Sequence, residues 1–105
     1  MFSVNENSSL IFDVSFIDPD GELMTPVSAT YRLDDYQSGA SIIEETAIGD
    51  LDSVVEIALS PSDNAILNQA LFAEKKVLTV RATYGQSDQV IVDYTYLVRN
   101  LQYVT

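Results

Sequence analysis

The sequence predicts an all-β protein, an antiparallel β-sandwich of six or seven short strands with one short helix at about residues 61–73. Apolar and polar residues alternate with period two in several short stretches, which is typical of half-buried strands. Turn-forming residues separate these stretches at short intervals. Only one stretch has a helical pattern, so the alternation of strands and helices that builds a parallel sheet is not expected.

The chain of 105 residues has the length of one domain. Residues 1–9 are polar and predict a flexible lead-in, residues 10–101 predict the domain, and residues 102–105 a tail or an extension of the last strand. Two alternating runs predict the first two strands. The apolar residues expected to face the core are Leu10, Phe12, Val14 and Phe16 in the first strand, and Val27, Ala29, Tyr31 and Leu33 in the second.

The stretch FIDPDGE at residues 16–22 ends the first strand and raises a choice between a turn and a calcium loop. Its central Asp-Pro-Asp-Gly, residues 18–21, has the residue preferences of a type I turn whose last residue takes a positive φ. An EF-hand loop beginning at Asp18 needs Gly at its sixth position and Glu at its twelfth, where this chain has Leu23 and Ala29. The turn is therefore favoured.

The second half of the chain predicts an edge strand, an inner strand, the helix and a final hairpin. Residues 40–48 predict the edge strand and residues 53–59 a strand with Val55, Ile57 and Leu59 inward. Ser-Pro-Ser-Asp at residues 60–63 is typical of a helix N-terminus, and Ile66, Leu67, Ala70 and Leu71 form an apolar stripe behind it. Lys75 and Lys76 are expected in solvent at its end.

The last two strands are predicted at residues 77–84 and 89–100, joined by a short connection at residues 85–88. Their inward residues are expected to be Leu78, Val80, Ala82 and Tyr84, then Val90, Val92, Tyr94, Tyr96 and Val98. This order of elements fits an immunoglobulin-like sandwich with a helical excursion between two late strands. A small β-barrel is the structural alternative.

The net charge and the missing residue types argue against several classes of function. Sixteen acidic residues against five basic ones give a formal charge of −11, which disfavours nucleic acid as a partner. No apolar run is long enough for membrane insertion. Cysteine and histidine are both absent, so thiol chemistry is excluded and hydrolase triads and zinc sites are disfavoured. The sequence predicts a protein that is not an enzyme and has no cofactor.

The acidic loops leave two minor hypotheses open. The weak candidates for a calcium site are the turn and loop carboxylates of Asp18, Asp20, Asp50 and Asp52, with Asp34 and Asp35 as further donors. Paired carboxylates also hydrolyse glycosides when a cleft holds them at a set separation. For both Asp pairs, solvated loop acids are the favoured interpretation.

Tyr36 and Tyr103 lie outside the inward pattern of the strands, one in a loop and one in the tail. Because exposed tyrosine is common in protein–protein contacts, these two residues are the candidates for partner binding. An exposed edge strand is a second route to assembly, at residues 40–48 or residues 94–105.

Five short sequence motifs occur in an order that resembles a known protein family. An opening strand ends in D-x-D-G, and PVSATYRL, I-x-L-S-P-S-D-x-x-I-L, VLTVRATYG and a final Y-x-Y-x-V follow. Over residues 10–101 this is similar to the immunoglobulin-like modules of tailed-phage and prophage virion proteins, found in tail, baseplate and head-associated parts. The resemblance implies no catalytic residues. It implies a structural module that is made in the host cytoplasm, resides in the virion, and binds other virion proteins or itself.

The leading prediction is therefore a non-enzymatic structural or interaction module of a virion. The alternative is a calcium-assisted adhesin or carbohydrate-binding module, and an enzyme that uses paired carboxylates is the third hypothesis.

Overall fold

Strands make up most of the computed structural model, which describes residues 2–85 and 87–103 and leaves the side chain of Tyr103 undescribed. The seven strands are β1 Ser3–Asn5, β2 Leu10–Ser15, β3 Ser28–Asp35, β4 Ser41–Ala47, β5 Val54–Leu59, β6 Ala73–Tyr84 and β7 Asp88–Arg99. Two short 3-10 turns, Pro61–Asn64 and Leu101–Tyr103, complete the elements.

The strands form two sheets of unequal size around one core. The larger sheet has five strands in the order β1-β7-β6-β3-β4, and the smaller pairs β2 with β5 only. All pairings are antiparallel except that of β1 with β7. Apolar side chains of both sheets meet in a single buried cluster. The predicted all-β sandwich is confirmed.

The predicted alternation holds in most strands because one face of each strand packs on this core. Val14, Val55, Leu78 and Tyr96 are all buried as expected. Two predicted inward residues are exposed: Val27, at 69%, lies before β3 begins, and Val92, at 40%, lies within β7. Residues 41–47 form β4 at one end of the larger sheet, so the predicted edge strand is also confirmed.

The turn predicted at FIDPDGE is present. The N–H of Gly21 donates to the carbonyl of Asp18 at 2.9 Å, and Gly21 has φ +85°, which favours glycine. Oδ1 of Asp18 accepts the backbone N–H groups of Asp20 and Glu22 at 3.0 and 2.9 Å. The acidic side chain therefore stabilises the turn itself.

The helix predicted at residues 61–73 is wrong: only the 3-10 turn Pro61–Asn64 forms, and β6 already begins at Ala73. The start signal is real, since the Asp63 carboxylate accepts the N–H of Ser60 at 2.8 Å. Propagation fails because the Glu74 carboxylate accepts the N–H groups of Leu67 and Asn68 at 2.8 and 2.9 Å. Those two donors would otherwise extend the helix.

A buried charge cluster replaces the solvated acids and lysines that the sequence predicts here. Lys76 is 0% exposed, and its Nζ lies 3.1 Å from Oδ1 of Asp35 and 3.0 Å from Oε1 of Glu74, both of which are also buried. Ser38 donates to Asp35 through its N–H and its hydroxyl. Burial acts to raise the pKa of the Asp35 carboxyl, but the hydrogen bonds from Ser38 and Lys76 outweigh it and leave that pKa below its usual value.

Both ends of the described chain pack on the sandwich. The segment predicted as a flexible lead-in, residues 1–9, contains β1, and the Asn64 side chain donates to the carbonyl of Ser8 at 2.7 Å. At the other end the last strand stops at Arg99, and a 3-10 turn at Leu101–Tyr103 joins the last residue of the predicted domain to the first two of the predicted tail, while residues 104 and 105 lie outside the description. Within the described residues no helix is long and apolar enough to cross a membrane.

Candidate functional site

The first half of β7 has an inner face that the smaller sheet leaves partly uncovered. The smaller sheet has two strands and lies over a larger sheet of five, so it covers only part of that face. In the central strand β6, Val80 is buried, whereas on β7 Val92 is 40% exposed although its side chain points to the same inner face. Apolar side chains that usually lie beneath a second sheet are thus open to water.

This uncovered surface forms a groove between β2 and β7, which we call the β2–β7 groove. It has a volume of about 220 Å³, and its lining comes from the end of β2, the second half of β6 and the first half of β7. The lining is mostly aliphatic and aromatic, and includes Val14, Phe16, Ala82, Val90, Val92 and Tyr94. For scale, a dry cavity of roughly 150 Å³ accommodates benzene. The groove has room for one or two apolar side chains.

Aromatic rings bound the two ends of the groove. Phe12 packs against Tyr94 with ring centroids 5.6 Å apart. At the opposite end Tyr84 lies near the turn at Asp18, where burial and, secondarily, the Asp18 charge raise the pKa of the Tyr84 hydroxyl. The Tyr84 hydroxyl is therefore neutral across the physiological pH range.

A free strand edge runs along one side of the groove. The N–H of Phe16 donates to the carbonyl of Ser53 at 2.8 Å, toward the β5 side. Because the backbone groups of a strand alternate in direction from one residue to the next, those of Asp13 and Ser15 point away from β5. In the described part of the chain no third strand pairs with β2. The backbone groups of Asp13 and Ser15 are therefore available to another strand.

The charges around the groove are acidic. Asp18 lies in the turn after β2 and Asp88 begins β7, while Asp13 and Asp93 lie on the outward faces of β2 and β7. Four of the five basic residues are engaged elsewhere: Arg32 with Asp34, Arg81 with Glu45, Lys76 in the buried cluster, and Lys75 over the ring of Tyr36. The fifth, Arg99, is at the far end of β7.

The four weak calcium candidates lie in two loops at one end of the sandwich. Asp18 and Asp20 are in the turn after β2, and Asp50 and Asp52 are in the β4–β5 loop. Oδ1 of Asp52 accepts the N–H of Ser53 at 2.7 Å, so this carboxylate, like that of Asp18, already has a local partner. Over residues 2–85 and 87–103 no three acidic side chains are grouped so as to hold a metal ion. Calcium binding stays an untested prediction.

A second, polar depression of about 530 Å³ lies on the other side of the smaller sheet, beside β5 and the β4–β5 loop. Asp50, Asp52 and Glu56 contribute to its lining. Because acidic side chains form part of its described lining, this depression offers a partner less apolar contact than the β2–β7 groove does.

Of the two tyrosines proposed for partner binding, the structure describes the side chain of Tyr36 but not that of Tyr103. Tyr36 is 62% exposed, but Nζ of Lys75 lies 4.4 Å from its ring centroid and covers one face. The side chain of Tyr103 lies outside the described part, so nothing is added to that prediction. Tyr36 does not line the β2–β7 groove.

Of the two carboxylate pairs, Asp50 and Asp52 line the polar depression, whereas Asp34 and Asp35 have their own ionic partners. Asp34 pairs with Arg32 through two hydrogen bonds of 2.9 Å, and its neighbour Asp35 points into the buried cluster. The prediction that Asp35 is a solvated loop acid is therefore wrong. Along the edge predicted at residues 94–105, β1 already pairs with residues 97–99 of β7.

Sequence reasoning missed the groove itself. A signal for it was present in Val90-Ile91-Val92, where apolar residues point to both faces of β7. How far the smaller sheet reaches over β7, however, depends on the number of strands that join each sheet, which no local pattern reports.

Comparison of the chain with family models, curated proteins and solved structures found no match. The resemblance to virion modules therefore remains a prediction from the sequence.

Proposed function

We propose that this protein is a non-enzymatic structural module that binds a neighbouring protein through the β2–β7 groove, as a component of a phage or prophage virion. The observation that carries the binding proposal is the apolar inner face of β7, where Val92 is 40% exposed although it points toward the core. An apolar groove beside a free strand edge is the kind of surface to which an extended segment of another protein binds.

The order of the strands supports the immunoglobulin-like part of the proposal. In such sandwiches the strands A, B, E and D form one sheet and C, F and G the other, with C′ added beside C in variable-type domains. Here β2 and β5 match B and E, and β3, β4, β6 and β7 match C, C′, F and G. The virion setting rests on the sequence resemblance alone.

The chemistry of the groove supports a binding role over catalysis. Its lining combines aliphatic and aromatic side chains with a tyrosine hydroxyl whose pKa is raised by burial. A nucleophile needs an adjacent base to activate it, and the lining side chains among the described residues include no carboxylate or amine. Apolar contact with a complementary segment is the interaction that this surface offers.

Site-specific photo-crosslinking tests the proposal with a matched pair of positions. A benzophenone amino acid replaces Val92, which faces the groove, or Ile91, which is 54% exposed on the opposite face of the same strand. The protein is expressed in its native host, adducts are identified by mass spectrometry, and the captured protein is purified and titrated against the unmodified module. A single partner captured from position 92 but not 91, with saturable binding, is expected. Equal capture at both positions, or none at position 92, would contradict the proposal.

A further inference from the structure

We propose that the occupant of the β2–β7 groove is an extended segment of another protein, flanked by lysine or arginine, that pairs antiparallel with β2 as a third strand of the smaller sheet. This inference rests on the proposed function and deepens it by naming the chemistry of the partner. Three features carry it: a free strand edge, an uncovered apolar face, and the distribution of charge.

The free edge determines that the occupant is extended. Asp13 and Ser15 direct their backbone groups away from β5, the one strand with which β2 pairs. Only an extended segment places its own N–H and C=O groups along such an edge at the matching spacing. An antiparallel direction is chosen because antiparallel pairs are slightly more stable per residue and more common.

The apolar face determines the pattern of the occupant. A strand added to β2 lies over the inner face of β7, where Val90, Val92 and Tyr94 line the groove. Side chains on one face of a strand recur about every 6.6 Å, and the groove of about 220 Å³ accepts one or two of them. The inward positions of the occupant are therefore apolar and alternate with outward polar positions.

The charge distribution determines the flanks. Asp18 and Asp88 lie at one end of the groove and Asp13 lies on the outward face of β2 beside it, and the described lining has no basic residue. A basic segment is attracted to this field, and the formal charge of −11 opposes a second copy of the chain. The occupant is thus a basic segment of another protein.

The other free edges are less suited to this role. Along β4, the pairing with β3 shifts register between Tyr31 and Leu33 and again between Leu33 and Asp34, and such irregularities protect an edge from further pairing. The free edge of β5 borders the polar depression with its acidic lining. The outer edge of β7 is also free at residues 88–96 of the described chain, because β1 pairs only with residues 97–99, but a strand added there would extend the larger sheet and leave the groove uncovered. Of the strand edges in the described residues, that of β2 is the one from which an added strand covers the apolar groove.

Four synthetic peptides test the inference. The probe is Lys-Val-Thr-Val-Thr-Val-Lys, and the first control replaces both lysines by glutamate. In the antiparallel arrangement, residues opposite Asp13 and Ser15 turn their side chains outward, so the threonine N–H groups of the probe donate to β2. The second control therefore carries N-methyl groups on the threonines, and the third carries N-methyl groups on the valines.

Binding is followed by NMR of the full chain, together with hydrogen exchange of the Asp13 and Ser15 amides. The probe is expected to bind saturably, to slow both amides, and to tolerate N-methyl valine. The glutamate peptide is expected to bind about tenfold more weakly, a difference of about 1.4 kcal/mol, and N-methyl threonine to abolish binding. No saturable binding of the probe, equal affinity of the glutamate peptide, or protection at residues 41–47 instead would overturn the inference.

The two proposals fail in different ways. If a protein is captured from position 92 but its bound segment is helical or acidic, the inference about the occupant fails and the docking function stands. If position 92 captures nothing, the docking function fails whatever the peptides do. Self-association seen by light scattering at high concentration would contradict the choice of another protein as occupant.

Discussion

The buried charge cluster allows the sharpest prediction about stability, through the substitution Lys76→Met. Methionine keeps most of the length of the lysine side chain but removes its charge and its hydrogen bonds. Asp35 and Glu74, both buried, then lose the cation that lies 3.1 and 3.0 Å from their carboxylate oxygens. Two carboxylates are left in the interior without a counter-charge.

Removing one partner of a buried ion pair costs about 3–5 kcal/mol of unfolding free energy. The value here should lie within this range because Ser38 still donates to Asp35, and two backbone N–H groups still donate to Glu74. A domain is usually stable by only about 5–15 kcal/mol, so the loss is a large fraction of the total.

Urea unfolding followed by circular dichroism measures this loss. With a slope of about 2 kcal/mol per molar urea, the midpoint should fall by about 2 M. The matched control is Lys75→Met, because Lys75 is the neighbouring residue and lies over the Tyr36 ring at the surface, where its contact is worth about 1 kcal/mol or less. Adding Asp35→Asn and Glu74→Gln to Lys76→Met should recover part of the loss. Equal midpoints for the two lysine variants would refute the reasoning.

Three further predictions concern stability. Because folding lowers the pKa of Asp35, the ionised carboxylate stabilises the protein above its unfolded pKa of about 3.9, and this stabilisation is lost as the pH falls through the folded pKa. The unfolding curves of wild type and Asp35→Asn should therefore converge below about pH 4. Curves that stay apart there would argue against this account. Gly21→Ala should lower the free energy of unfolding by about 1–2 kcal/mol in thermal unfolding, because Gly21 has φ +85°. Gly49→Ala is the control, because φ is not positive there, and should change the free energy of unfolding by less than about 0.5 kcal/mol. Similar losses in both variants would count against a strained turn. Tyr96→Phe removes the 2.6 Å hydrogen bond to Oδ1 of Asn64 and should cost about 1–3 kcal/mol in urea unfolding, and a neutral effect would mean that Asn64 finds another partner.

The strands and the first turn were predictable because their signals are local. Alternation marks which side chains of β2, β5 and β6 face the core, and Asp-Pro-Asp-Gly specifies the turn at residues 18–21. In each case the residues that carry the signal are also the ones that form the structure.

The predicted helix failed for a reason that lies outside its own segment. Residues 60–67 have good helix-starting chemistry, yet the Glu74 carboxylate binds two N–H groups that helix growth requires. Glu74 does so because it lies on the inner face of β6, in the same alternation as Lys76 and Leu78. The alternation of apolar residues does not indicate that charged residues such as Glu74 and Lys76 are buried.

The groove could not be predicted because it results from the assembly of the sheets. Nothing in the sequence of β2 indicates that its outer edge stays free, and nothing in that of β7 indicates that the smaller sheet does not cover it. The three-residue strand β1 was missed for a related reason: so short a segment carries no readable alternation, and its pairing with β7 depends on the assembled sheet.

The most direct test of the docking claim compares two arginine substitutions in the affinity for the purified partner. Val92→Arg places a charge in the β2–β7 groove, and Ile91→Arg places the same charge on the opposite face of β7. After both variants are shown to be folded, Val92→Arg should weaken binding by about tenfold or more, and Ile91→Arg should leave it nearly unchanged. Equal affinities for the two variants, or a greater loss for Ile91→Arg, would contradict a docking site on the inner face of β7.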